Sequence, residues 1–228
     1  MALVTIGGQR AEARPHMENA LSFRKTDVLY SAILGGLIGA LVPFIMTNLS
    51  ARLPLQNFLF IIFAVMAPAG LYIFYLLSAK IPALFQIGKF GIVGSSNFFV
   101  DLGIFNLLIY ISNGESASPL FSVLGLTITI WTLFKAFSFL AANTNSYFWN
   151  RFWTFQHKKT TNTKTEYAQF LVVSLIGFLV NITAFSLVFF FRPTGVSEAL
   201  WGTIGVVCGT VAGLAVNFVG YKFFVFKK

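Results

Sequence analysis

Four stretches of this chain carry no charged residue at all: Val28 to Ala51, Leu53 to Ala79, Tyr167 to Phe191 and Ala199 to Tyr221. Each exceeds the roughly 20 residues that a helix needs to cross the hydrocarbon of a bilayer. Two further stretches are broken by one charge apiece, Asp101 between Phe90 and Gly114 and Lys135 between Ser116 and Asn150. Composition agrees, because 57% hydrophobic and 10% charged residues leave too little polar surface to cover a soluble globule of 228 residues. The pattern predicts an all-α membrane protein with six transmembrane helices, at about 28–48, 56–78, 90–111, 120–148, 167–191 and 199–221.

The basic residues set the expected orientation. With the N-terminus inside, thirteen Lys and Arg between Arg10 and Lys228 fall on the inner side and only Arg52 and Arg192 outside, which puts both termini in the cytoplasm. The expected location is the inner, cytoplasmic membrane of a cell. The net charge of +9 is thus a topology signal. Its members lie scattered at helix ends rather than on one folded face, so nucleic acid is not an expected partner. Anionic membrane lipids are, at about 1 kcal/mol per basic residue near the surface.

Residues 1–27 lack the apolar core and small-residue cleavage site of a secretory signal and read as a cytoplasmic tail. Cys208 is the only cysteine, so no disulfide framework exists. His16 and His157 have no second ligand at metal spacing. Neither a metal nor a cofactor is expected.

Sliding the sequence against itself reveals a repeat. Lys89 to Asp101 overlays Gln169 to Asn181 at a shift of 80, and Ser146 to Phe155 overlays Asn217 to Phe226 at a shift of 71. The last four helices therefore read as a duplicated two-helix hairpin forming a four-helix bundle, the copies related by an axis along the membrane normal. Gly94, Phe98, Asp101 and Phe105 share one helical stripe, reproduced as Ser174, Phe178, Asn181 and Phe185. Gly205, Gly209, Gly213 and Asn217 form a small-residue stripe whose counterpart is Ser138, Ala142 and Ser146, and Gly35 and Gly39 add another in the first helix. Such stripes let helices approach closely in lipid, and a homodimer through the Gly35 or Gly205 stripe is one expectation.

These residues carry a resemblance. From about Leu84 to the C-terminus the chain resembles the GtrA-like family of small membrane proteins: Phe90, Gly94 and Asp101 match its opening helix, Asn150 to Phe155 (NRFWTF) its most distinctive motif, and Asn217 to Phe226 a degenerate closing copy. Ser146 stands where that family usually has Asn. The resemblance divides the chain into the tail (1–27), an additional two-helix hairpin (28–80) and a GtrA-like four-helix domain (84–228, repeats about 89–155 and 169–226). It implies movement of a polyprenyl-phosphate-linked sugar across the cytoplasmic membrane for cell-surface polysaccharide or glycan synthesis, or assistance to the membrane glycosyltransferase that makes the lipid.

The chemistry of such a lipid can be set against the residues. Its phosphate needs a fork of donors, which Arg151 could supply with Asn150 beside it and Lys222 at the equivalent point of the second copy. Tyr147, Trp149 and Trp153 would sit at headgroup level or stack on sugar, although an ordinary aromatic belt with a basic anchor gives the same pattern. The polar head needs a hydrophilic path. Asp101 lies about 17 Å along its helix from Phe90 and Lys135 about 15 Å from Asn145, so their depths roughly agree. Charges at that depth face a partner or a wet cavity, either as a structural ion pair or as a substrate or proton site. Asn97, Asn145, Asn181 and Asn217 would extend the path, with hydrogen bonding between helices as the alternative.

Three functions remain open at this stage: a flippase for the lipid-linked sugar, a non-transporting anchor or regulator of a glycosyltransferase, and a small ion-coupled transporter in which Asp101 titrates. An enzyme is not expected. Asp27 and Asp101 are the only aspartates, and no soluble catalytic domain or nucleotide-binding loop is present.

Overall fold

The structure, a computed structural model, describes residues 22–48, 54–112, 119–123, 126–157 and 162–227. Helix α1 (Lys25–Asn48) is followed by a short 3-10 turn (Gln56–Phe58) leading into α2 (Leu59–Leu77). Then come α3 (Ala83–Ile111), a β-hairpin of β1 (Pro119–Val123) and β2 (Leu126–Thr129), and α4 (Ile130–Trp149), which opens into a π-turn (Asn150–Thr154). Helices α5 (Thr163–Phe190) and α6 (Glu198–Gly220) follow, and a second π-turn (Tyr221–Val225) ends the chain's regular structure. The protein is an all-α membrane protein apart from the small hairpin.

Among the described residues five helical segments are long and apolar enough to cross a membrane: Lys25–Met46, Gln56–Leu77, Ala83–Ile111, Thr163–Phe190 and Ile204–Val225. The expected sixth span at 120–148 is different. At its start Pro119–Val123 and Leu126–Thr129 pair as antiparallel strands, Phe121 opposite Ile128 and Ser122 opposite Thr127. Apolar character alone does not choose between periods, and the β-branched and hydroxyl residues of Leu126 to Thr129 favour the extended chain. What is left, α4, has 20 residues and so a length of about 30 Å, but Lys135 and its amides make it the most polar of the long helices.

The helices gather into two compact units that divide between Ser146 and Tyr147. In the first, α1 packs on α2 and α3, and α2 on α3. Leu34, Ile38, Val42 and Ile45, at helical spacing, are buried. Gly35 and Gly39 sit against the carbonyls of Phe63 and Leu59, where any Cβ would collide. The pair Lys89 Nζ and Asp27 Oδ1, 2.5 Å apart, ties α3 to α1. Asp27 also accepts from the Arg24 amide at 3.0 Å, capping the start of α1.

In the second unit α5 and α6 pack along their length. Asn162 caps α5, its side-chain oxygen accepting from the amides of Lys164 and Thr165 at 3.1 and 3.2 Å. Gly209 faces the Asn181 carbonyl and Gly213 the Gly177 carbonyl. Both small-residue stripes expected to serve a homodimer are thus used for packing within the chain. The Asp101 stripe is also not uniformly inward. Phe98 and its counterpart Phe178 are exposed, at 59% and 56%, and would face lipid.

Candidate functional site

Where α4 gives way to the π-turn, the backbone widens. The Phe155 amide donates to the Asn150 carbonyl at 2.8 Å, five residues back instead of four. Gln156 then adopts a left-handed backbone with φ 52°, and the His157 amide closes on the Arg151 carbonyl at 2.8 Å. This local geometry gathers three side chains, Tyr147, Arg151 and His157, around the Glu166 carboxylate. The Tyr147 hydroxyl donates to Glu166 Oε1 at 2.6 Å and accepts from Arg151 Nη1 at 3.0 Å. Arg151 Nε lies 3.2 Å from the same oxygen, as an ion pair that leaves its N–H without a directed hydrogen bond. His157 Nε2 is 3.2 Å from the other oxygen, Oε2. Tyr147, Arg151 and Glu166 are all buried. Charges so placed are tolerable only because they are paired.

The second π-turn falls 71 residues later, in the register of the internal shift, with the Phe226 amide donating to the Tyr221 carbonyl at 2.7 Å. Its surroundings are less charged. Tyr221 replaces Asn150, stacks on Phe170 at 4.3 Å and shares a 2.6 Å hydrogen bond with the Ser174 hydroxyl. Lys222, the counterpart of Arg151, is half-buried with its ammonium 5.4 and 5.6 Å from the Phe218 and Phe223 ring centres. Among the described residues no carboxylate lies within ion-pair distance of it.

The expected fork of Asn150, Arg151 and Lys222 therefore splits. Arg151 faces an internal acid, Asn150 is buried, and Lys222 rests on aromatic faces. The aromatics expected at headgroup level differ too. Tyr147 and Trp153 are buried, because Tyr147 is a hydrogen-bonding member of the cage, and only Trp149 is partly accessible, edge-to-face with Trp153 at 6.1 Å.

In the first unit the expected charged pair forms. Lys135 Nζ donates to Asp101 Oδ2, and the Ser138 hydroxyl donates to Asp101 Oδ1 at 2.6 Å. Asp101 comes from the interior of α3 and Lys135 from the second turn of α4, and both remain partly accessible: the Lys135 side chain is 53% exposed and that of Asp101 21%.

The amides serve several ends. Asn106 and Asn143 bond to carbonyls of their own helices, Leu102 at 2.8 Å and Phe139 at 2.9 Å. Asn181 and Asn217 lie in the α5/α6 seam, Asn217 against Gly177 and Asn181 against Gly209 and Gly213, and both are half-buried. Asn97 and Asn145 are half-buried, and the side-chain oxygen of Asn97 has no hydrogen-bond partner.

Sequence reasoning missed Glu166 and the role of His157. A signal existed. An Arg abutting an apolar helix calls for a counterion, and between Asp101 and Glu198 the chain offers only Glu115 and Glu166.

The comparisons with known proteins bear on residues 89–226. That region matches the family described as GtrA/DPMS, transmembrane domain. The uncharacterized membrane protein YngA of Bacillus subtilis (strain 168) is 31% identical over 153 residues, covering 67% of this chain and 85% of its own. No solved structure matches the chain.

Proposed function

Because the chain belongs to the GtrA/DPMS transmembrane-domain family, we propose that it is a translocator that carries a polyprenyl-phosphate-linked sugar across the cytoplasmic membrane for surface glycan synthesis. The observation that carries this reading is the Lys135–Asp101 pair, whose ammonium side is more than half exposed between the interior of α3 and the second turn of α4. A charge facing hydrocarbon would cost a few kcal/mol or more. The surface it presents is therefore wet or filled by a polar ligand, which suits a sugar in transit. A mere anchor for a glycosyltransferase has no use for such a surface.

The roles follow the lipid's parts. In the first unit, Lys135, Asp101 and Ser138 offer donors and acceptors suited to sugar hydroxyls. In the second, the cations at the two π-turns, Arg151 and Lys222, lie at the ends assigned to the inner interface and suit a phosphate. Exposed Phe148 and Phe152, stacked with ring centres 6.2 Å apart, offer an apolar surface to the prenyl tail. The protein works without catalysis in this reading, moving substrate down its gradient or with coupled ions.

Reconstitution tests it. Vesicles holding the full chain should move a fluorescent prenyl-phosphate-linked monosaccharide between leaflets, and Lys135→Ala should slow that movement while the protein remains folded. Copurification with a glycosyltransferase and no lipid movement would instead support an anchor.

A further inference from the structure

Glu166 fills its cage with one directed hydrogen bond and two ion-pair contacts, and leaves one donor of the cage without a directed partner. Tyr147 donates a short hydrogen bond, His157 approaches the second oxygen, and Arg151 contributes charge while its Nε–H stays without a directed partner on a side chain only 9% exposed. A phosphodiester resembles this carboxylate in the relevant respects. It carries one negative charge shared over two oxygens, so exchanging one for the other leaves the charge of the cage unchanged, and its ester oxygens add acceptors for the spare donor.

We propose that Glu166 is an internal occupant of the phosphate seat, holding Arg151, Tyr147 and His157 in place until the phosphodiester of the lipid-linked sugar displaces it. This rests on the translocator reading above. The position of Glu166 allows the exchange. It stands in the first turn of α5, directly after the exposed residues Asn162, Thr163, Lys164 and Thr165, so rotation of its side chain leads toward solvent. A carboxylate released there remains near the helix N-terminus, where the backbone dipole favours negative charge. The second π-turn has a cation but no such acid among the described residues, so the device belongs to one copy of the repeat.

The test uses the full chain in phosphatidylcholine nanodiscs and a synthetic farnesyl methyl phosphate as the singly charged prenyl phosphodiester. Carboxyl groups are labelled with a water-soluble carbodiimide and an amine, then located by mass spectrometry. Saturating probe should raise labelling of Glu166 several-fold and leave Asp27, equally buried in its own ion pair, unchanged. Glu166→Gln should bind the probe about tenfold tighter, the worth of removing one charged competitor, and Arg151→Gln combined with Glu166→Gln should lose that gain. Unchanged Glu166 labelling under saturating probe, or binding by Glu166→Gln no tighter than by the natural chain, overturns the exchange while the translocator reading stands. Failure of both proteins to bind the probe removes the phosphate seat itself, and the exchange with it. Equal exposure of Glu166 by inorganic phosphate, or by phosphatidylglycerol nanodiscs without probe, would assign the effect to anions in general and also overturn it.

Discussion

Lys89 Nζ lies 2.5 Å from Asp27 Oδ1, with the two side chains only 5% and 3% exposed, so a buried ion pair joins the first helix of the family region to a helix outside it. Phe23, Tyr72, Tyr75 and Phe85 enclose this junction in edge-to-face and tilted contacts, and the Lys89 ammonium is 4.3 Å from the Phe85 ring centre. The added hairpin is thereby part of the same packed unit as α3.

Lys89→Ala leaves Asp27 charged and buried. The expected cost is about 3–5 kcal/mol, as for other broken buried pairs. Lys89→Met combined with Asp27→Asn keeps an acceptor for the Arg24 amide and should recover most of that loss. Thermal unfolding in detergent, followed by circular dichroism, measures both.

The Arg151–Glu166 pair should behave likewise in the second unit. Arg151→Ala strands the Glu166 carboxylate with Tyr147 and His157 alone, and should destabilise by about 3–5 kcal/mol. Tyr147→Phe removes the hydroxyl that donates to Glu166 and accepts from Arg151, and should cost about 1.5–3 kcal/mol. If Tyr147→Phe proves as damaging as Arg151→Ala, the cage is held by the hydroxyl rather than by the charge.

Glycine substitutions separate packing from propensity. A Cβ at Gly209 would stand 2.6 Å from the Asn181 carbonyl oxygen, so Gly209→Ala should destabilise by about 1–3 kcal/mol. Gly91, on the exposed side of α3, has open space where its Cβ would be, and Gly91→Ala should stabilise by about 0.5–1 kcal/mol. Opposite shifts in melting temperature are the expected result.

Transport should depend on the first unit's pair in a graded way. Asp101→Asn and Lys135→Ala should each reduce movement of the lipid-linked sugar by about tenfold or more, if one charge-assisted contact is lost from the transport step. Ser138→Ala, which removes a neutral donor 2.6 Å from Asp101, should reduce it less. Flipping assays in reconstituted vesicles rank the three, and an equal loss in all would point to unfolding, checked by size-exclusion profiles.

Membrane character, the helices α1, α2, α3, α5 and α6 and the motif around Arg151 were legible from residue order, because the bilayer imposes its demand on contiguous segments. About 20 apolar residues in a row suffice, whatever they later touch. The register of the two π-turns was visible as the shift between Asn150 and Tyr221, since a repeated backbone deviation needs repeated local chemistry. The pairing of Asp101 with Lys135 was suggested by helix rise alone. Where local rules ran out, space decided. Leu126 to Thr129 turned out as strand because apolarity has no period of its own. The glycine stripes met neighbours within the chain, and Arg151 met Glu166 rather than standing open, because a buried cation takes whatever acid the fold brings within 4 Å. Pairings of this kind depend on three-dimensional proximity, which hydropathy along a line does not encode.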